Sequence, residues 1–315
     1  MASSDFRADR PSADDADYAG KLATESAYWG AHLDVEATGE WNAWLDHPAV
    51  AEHYYQRALI DGLRWEPWVA RTLGGPARRS LDLGCGSGVS DLRVYEQKAS
   101  AFIEGIDIAE RRVAEANRWL ALGQFPGDFR TGDANQIQLE EKVYDLIFSV
   151  ASFHHFWALE HVMEQVHRGL TPNGLFVLEE YVGPTQFQWT EAQMEIVRSL
   201  MALLPERLRQ LRWGALKTQE GRPSIEDLLA HSPFESIRSA EIVPLFRKYF
   251  DVVACRPLGG AIQHLLYNGI IHNFRPEDPE ALGYLKAIWQ VEDALTDAGL
   301  LACDFMLIIG KRRDQ

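Results

Sequence analysis

Apolar and polar positions follow two different rhythms along this chain. From Ser26 to about Leu73 the pattern is helical and rich in tryptophan, with Trp29, Trp41, Trp44, Trp65 and Trp68. Asp46-His47-Pro48 marks a helix start there, because proline suits the first helical position. From Ser80 to about Val182 short apolar runs alternate with helical stretches. The runs are Ser80–Leu83, Phe102–Ile106, Asp128–Thr131, Tyr144–Val150 and Leu175–Leu178, and helices are expected over Glu110–Leu122 and Leu159–Leu170. Pro172-Asn173-Gly174 turns the chain into the last of these runs. Such alternation implies a parallel sheet covered on both faces. Gly183 to Ser236 is again mainly helical, broken at Pro205 and Pro223. A helix up to Phe250, a strand near Asp251–Arg256, another helical stretch and a strand over Phe305–Ile309 complete the pattern.

These rhythms divide the 315 residues into an expected disordered tail (1–20), a helical N-terminal extension (21–75), an α/β core (76–182), a helical insertion (183–236) and a C-terminal part (237–315) that returns to the sheet. With 46 acidic and 31 basic residues, the formal net charge of −15 argues against a nucleic-acid partner, which needs a basic face. Cys85, Cys255 and Cys303 are too few and too irregularly spaced for a disulfide framework or a zinc site. No carboxylate spacing compels a metal either, so none is expected. The polar first 20 residues lack the apolar core of a signal peptide, and no stretch approaches the roughly 20 apolar residues of a membrane span. The expectation is a cytoplasmic protein.

The strongest motif is Leu81-Asp82-Leu83-Gly84-Cys85-Gly86-Ser87-Gly88, placed between a strand and a helix. Glycines let the backbone turn sharply and approach a ligand, and the N–H groups of the following helix face it. A dinucleotide fingerprint would need a third glycine where Val89 stands. Asp82, just before the first glycine, would repel a pyrophosphate but can receive an ammonium group, directly or through water. Asp107 ends the next strand, where a carboxylate can accept hydrogen bonds from two ribose hydroxyls.

A ligand with an ammonium, a ribose and no phosphate fits these features, and here the sequence resembles the class I S-adenosylmethionine-dependent methyltransferases. The resemblance covers about Ser80 to Val182. Asp82 to Gly88 is similar to the family's first motif and includes Gly84, Cys85 and Gly86. Gly105-Ile106-Asp107-Ile108 is similar to the second, where the acid holds the ribose. Gly132-Asp133-Ala134 is similar to the third, which meets the adenine. Tyr144 to Ser149 is similar to the fourth strand. Leu170 to Leu175 resembles the turn into strand five, with Asn173 where glycine is more usual; Asn tolerates positive φ. The resemblance implies S-adenosylmethionine as cofactor and a doubly wound, seven-stranded, mostly parallel sheet whose last strand is antiparallel. The insertion after strand five would then be a substrate lid.

For an acceptor of high pKa, methyl transfer needs a base. Strand four is followed by His154 and His155, of which His155 is preferred, and strand five ends at Glu179-Glu180. Only one of that pair need face the site, and Glu180 is taken as the candidate. Arg198 to Arg222 carries six basic and two acidic residues, including Arg209 and Arg212. It suits an anionic substrate, while the plainer reading is a solvated, ion-paired face. His264 and Asn268, four apart on an expected helix, share a face and are candidates to line the pocket. The expected activity is methylation of a small molecule: a natural product, sugar or lipid-like acceptor. Alternatives are a cofactor-binding protein doing non-methylating chemistry and a regulator or scaffold; a nicotinamide oxidoreductase fits the glycine spacing less well. The insertion and the aromatic N-terminal segment serve equally as a lid or as the contact of a homodimer.

Overall fold

The computed structural model describes residues 16–41 and 43–313. In chain order the elements are α1 (Ala16–Glu36), α2 (Pro48–Arg57), α3 (Trp65–Leu73), β1 (Ser80–Leu83), α4 (Val89–Glu96), β2 (Ile103–Asp107), α5 (Glu110–Gly123), β3 (Gly127–Thr131), β4 (Tyr144–Val150), α6 (Leu159–Gly169), β5 (Leu170–Tyr181), α7 (Glu191–Leu203), α8 (Ile225–His231), α9 (Ile242–Tyr249), β6 (Phe250–Gly259), α10 (Gln263–Tyr267), α11 (Pro279–Asp297) and β7 (Phe305–Arg312). The seven strands form one sheet in the order β3-β2-β1-β4-β5-β7-β6, parallel except for β7, which is antiparallel to both of its neighbours. This is the expected fold class.

Successive side chains of a strand point to opposite faces, so continuous apolar runs feed two cores at once. Leu146, Phe148, Leu175, Val177, Leu307 and Ile309 face one core, where Trp65 and Val69 of α3 and Leu285 and Ile288 of α11 pack. Ile147, Phe176, Leu178 and Ile308 face the other, against Val162, Met163 and Val166 of α6 and Phe246 of α9. Trp44, Trp65 and Trp68 are buried packing residues. Pro48 opens α2, with His47 as its cap.

Several expectations shift. The first fifteen residues of the expected tail lie outside the described residues, but Ala16–Gly20 belong to α1. Tyr18 anchors that turn, buried against Trp157 and Phe234. β5 begins at Leu170, so Pro172-Asn173-Gly174 is an irregularity within the strand: Tyr144 pairs with Leu170 and Leu146 with Leu175. The insertion is helical only in part. Pro205 follows the end of α7 and Pro223 precedes α8, whose cap Ser224 accepts from the Asp227 N–H at 3.0 Å. Between them only Glu206–Leu208 forms a 3-10 turn, because each proline lacks a helix donor and Gly214 and Gly221 add flexibility. No helix among the described residues is long and apolar enough to cross a membrane.

Asp304, just before β7, ties the insertion to the sheet. Its buried carboxylate accepts from Gln193 of α7 at 2.9 Å, and its carbonyl accepts from the Val182 N–H at 2.7 Å. Burial pushes this carboxyl up to about 7. Between about pH 4, where an unfolded aspartate titrates, and about pH 7, the native chain holds a proton that the unfolded chain has lost. Stability contributed by this group therefore falls as pH rises through that window. Asp304→Asn, which keeps an oxygen acceptor for Gln193, is expected to melt above the wild type at pH 8 by scanning calorimetry, with the gap closing towards pH 4.

Candidate active site

The site lies at the carboxyl ends of the parallel strands, where open α/β sheets bind ligands. β1 runs into Gly84-Cys85-Gly86-Ser87-Gly88. Gly84, Gly86 and Gly88 have φ of +84°, +50° and +82°, a region L side chains avoid, and Gly88 caps α4. A Cβ on Gly84 would lie 2.4 Å from Cβ of Ser152. Ser152 follows β4, and its hydroxyl donates to the Gly84 carbonyl at 2.7 Å, locking the two loops together.

Asp107 ends β2. One carboxylate oxygen accepts from the Gly86 N–H at 2.9 Å and the other from the Ala109 N–H at 2.8 Å. Burial pushes this carboxyl up, against the pull of those two bonds. Asp133, after β3, accepts from Tyr18 at 2.5 Å and from the Asn135 N–H at 2.9 Å. These groups border a cavity of about 690 Å³, counting its open mouth. Gly84, Gly86, Asp107, Ile108, Asp133, Ala134 and His155 line its floor and sides, and Leu22, Glu25 and Trp29 of α1 and Phe234 roof it. The volume suits one cofactor-sized molecule. Asp107 can accept from a diol, and the positive-φ glycines keep the backbone open to a close approach.

Three residues expected at the cofactor lie behind this wall. Asp82 is buried, and so is Asp91 of α4; burial raises the pKa of both carboxyls, that of Asp91 to about 7. Ser149 is fully buried and donates to the Leu83 carbonyl at 2.7 Å, stitching β4 to β1. Cys85 is buried and its thiol is pushed well up by burial.

The turn after β4 carries the titratable cluster. Glu180 of β5 accepts from the backbone N–H groups of Ser152 and Phe153, at 2.9 and 2.6 Å, and from Nδ1 of His154 at 2.5 Å. Glu179 points to the other face, where Trp65 donates to it at 3.0 Å. His154 is buried, and its Nε2 lies 3.4 Å from Glu235. Burial alone would lower the His154 pKa, but Glu180 and Glu235 drive it up to about 10. Burial would raise the Glu235 carboxyl, yet His155 and His154 bring it down to about 2. His155 stands on the cavity wall, with Nδ1 3.0 Å from Glu25 and Nε2 3.8 Å from Glu235. Glu25 is itself fixed by Trp29, by Ser232 and by the Phe234 N–H. Sequence reasoning missed Glu25 and Glu235, which lie far from the histidines along the chain. The only available signal was the i, i+4 pairing of Glu25 with Trp29 on α1.

The substrate candidates separate. His264 and Asn268 do not share a helical face, because α10 ends at Tyr267 and Asn268 has non-helical backbone angles. His264 instead sits among Trp44, Tyr181, Phe187, Trp189 and Phe305, with ring centroids 5.3–6.2 Å away. Burial lowers its pKa to about 4. The basic segment is largely neutralised: Arg207 pairs with Asp278 and Glu280, Arg198 and Arg222 with Glu191, Lys217 with Glu220, and Arg212 with Glu40. Arg209 and Arg212 do not border the cavity.

Residues 76–224 match the sequence profile of a family described as a methyltransferase domain. This stretch holds the glycine loop, Asp107 and Asp133. The match supports a class I S-adenosylmethionine-dependent methyltransferase. Its cofactor is S-adenosylmethionine. The methyltransferase is 26% identical over 193 residues to 27-O-demethylrifamycin SV methyltransferase of Amycolatopsis mediterranei, covering 56% of this chain and 70% of that one. It is 22% identical to (+)-O-methylkolavelool synthase of Herpetosiphon aurantiacus, over 90% of this chain and 88% of that one. A solved S-adenosylmethionine-dependent methyltransferase from Mesorhizobium loti overlays 80% of this chain and 99% of its own, at 20% identity and a TM-score of 0.45.

The contact between Gly84 and Ser152 gives a direct test of how this methyltransferase builds its loop. Gly84→Ala adds a methyl group into Ser152 at a φ of +84°. Urea unfolding is expected to show a loss of about 1–3 kcal/mol, the usual cost of overpacking. Gly214→Ala, also at positive φ but with open space around it, controls for the backbone strain and should cost less.

Proposed function

We propose that this enzyme methylates a hydroxyl of a small, largely apolar acceptor, with His155 as the proton acceptor. The observation that carries this reading is the single cavity joining Gly84, Gly86, Asp107, Ile108, Asp133 and Ala134 to His155. On this reading the glycine loop admits the amino-acid end of the cofactor, Asp107 takes the ribose hydroxyls, and Asp133 with the Ala134 backbone meets the adenine. Asp82 acts from behind the loop on the ammonium end, and Cys85 and Ser149 shape the wall without touching the ligand. Bound S-adenosylmethionine supplies an electrophilic methyl group on a sulfonium.

The protein adds proximity and a base. His155 is held between two carboxylates, Glu25 at Nδ1 and Glu235 near Nε2. These contacts orient the ring on the cavity wall, where it would take the proton of the acceptor hydroxyl. Glu180 and His154 act as positioning residues for this turn. Oxygen as the acceptor atom is supported by three relatives whose names carry an O-methyl designation, including a malonyl-[acyl-carrier protein] O-methyltransferase of Halalkalibacterium halodurans, while two sterol 24-C-methyltransferases are more partial matches. Leu22, Trp29, Phe156 and Phe234 on the cavity wall favour an apolar acceptor body. The ion pairing of Arg198, Arg207, Arg212, Lys217 and Arg222 gives an anionic acceptor no support.

Two measurements test this. At about 100 times its dissociation constant, S-adenosylhomocysteine should stabilise the protein by about 2.7 kcal/mol, several degrees of melting temperature. NAD should give no shift, and Asp107→Ala should lose the shift while staying folded. A folded wild type that ignores S-adenosylhomocysteine would remove the cofactor assignment. Once an acceptor is in hand, His155→Ala should lower kcat about 10²–10⁴-fold, the usual span of general-base catalysis, with S-adenosylhomocysteine affinity retained.

A further inference from the structure

The two histidines and Glu235 are arranged for more than proton transfer. Nδ1 of His154 is engaged by the buried carboxylate of Glu180 at 2.5 Å, and Nδ1 of His155 faces the buried carboxylate of Glu25 at 3.0 Å. Each ring is thereby turned to present Nε2 to the same group. These nitrogens lie 3.4 and 3.8 Å from the two carboxylate oxygens of Glu235, and one donor atom from each of the three residues falls within 4.8 Å of the others. Zinc bonds of about 2.0–2.1 Å in a tetrahedron put donors about 3.3 Å apart, so small side-chain movements would close the set around one ion. An imidazole oriented through its second nitrogen by a carboxylate is the recurring outer support of metal ligands.

We propose that His154, His155 and Glu235 form a binding site for one divalent ion of the zinc type, with Glu180 and Glu25 as its outer partners. Two imidazoles and one carboxylate suit zinc or a neighbouring transition metal, while calcium and magnesium prefer all-oxygen sets. Three protein ligands leave a fourth position open, beside the cofactor cavity that His155 lines. The functional consequence rests on the reading of His155 as base: an ion takes the Nε2 lone pair that the acceptor's proton requires. Zinc is therefore a reversible inhibitor of methyl transfer.

The test starts from full-length protein stripped with a chelator and dialysed against zinc chloride, with bound zinc measured by atomic emission. About one zinc per chain is expected. Glu235→Gln and the double variant His154→Gln/His155→Gln should bind at least tenfold more weakly, and Glu180→Gln about 10–100-fold more weakly. S-adenosylhomocysteine affinity and melting temperature check that each variant is folded. Zinc binding to the wild type no tighter than to the folded double variant overturns the site. If zinc binds and accelerates methyl transfer, the site stands, but the inhibitory role and the reading of His155 as a free base both fall. Zinc inhibition reversed by chelator and absent in cofactor binding supports the whole proposal.

Discussion

The carboxylate of Glu180 is the point on which this site depends. It is buried at the end of β5 and takes four hydrogen bonds: from the backbone N–H groups of Ser152, Phe153 and Tyr181, and from His154. A charge taken out of water persists only when its oxygens are fully bonded, and leaving one unpaired costs several kcal/mol. That requirement fixes the turn after β4. Ser152 is then placed to hold Gly84, and His155 is placed on the cavity wall. One acid thus couples the glycine loop of β1, the histidine turn of β4 and the end of β5, three neighbouring strands whose register the sheet already sets.

The roof obeys the same logic at longer range. Glu25 of α1 is buried and reaches the Ser232–Phe234 segment as well as His155, and Tyr18 reaches Asp133 and Trp157. Arg112 of α5 adds a bond to the Trp29 carbonyl. The extension before the sheet and the segment after α8 are therefore parts of one enclosure, although more than two hundred residues separate Glu25 from Phe234.

The division between what could be read and what could not follows from distance along the chain. Strand and helix alternation, the glycine loop, Asp107 and Asp133 are local patterns with local causes, and the seven-strand count and the antiparallel β7 came with the resemblance they carry. Glu180 was identified as an acid of interest, but its four partners depend on register between β4 and β5. Glu25 and Glu235 carried no spacing signal, because they meet the histidines only after α1 and the segment following α8 fold over the sheet. The basic run left an anion site open beside the plainer ion-paired reading, because composition counts charges and ignores where the balancing acids return. Asp278 and Glu280, which bind Arg207, belong to the start of α11, seventy residues on. Asn268 failed as a partner of His264 because a helical spacing means nothing once the helix stops at Tyr267.

This separation bears on specificity. The stretch shared with the family profile ends at residue 224, so it holds the glycine loop, Asp107, Asp133, both histidines and Glu180. Glu25, Phe234, Glu235 and His264 all lie outside it. The chemistry common to the family needs only groups that sequential strands bring to one edge of a sheet. The cavity's roof is instead built by α1 and the segment after α8, which lie outside the strands and can vary without disturbing the sheet. A change at Phe234 alters the shape of the cavity, while a change at Glu180 alters the placement of every group that touches it. The strand-end wall and the roof of the cavity thus come from different parts of the chain and meet where Glu25 and Glu235 approach His155.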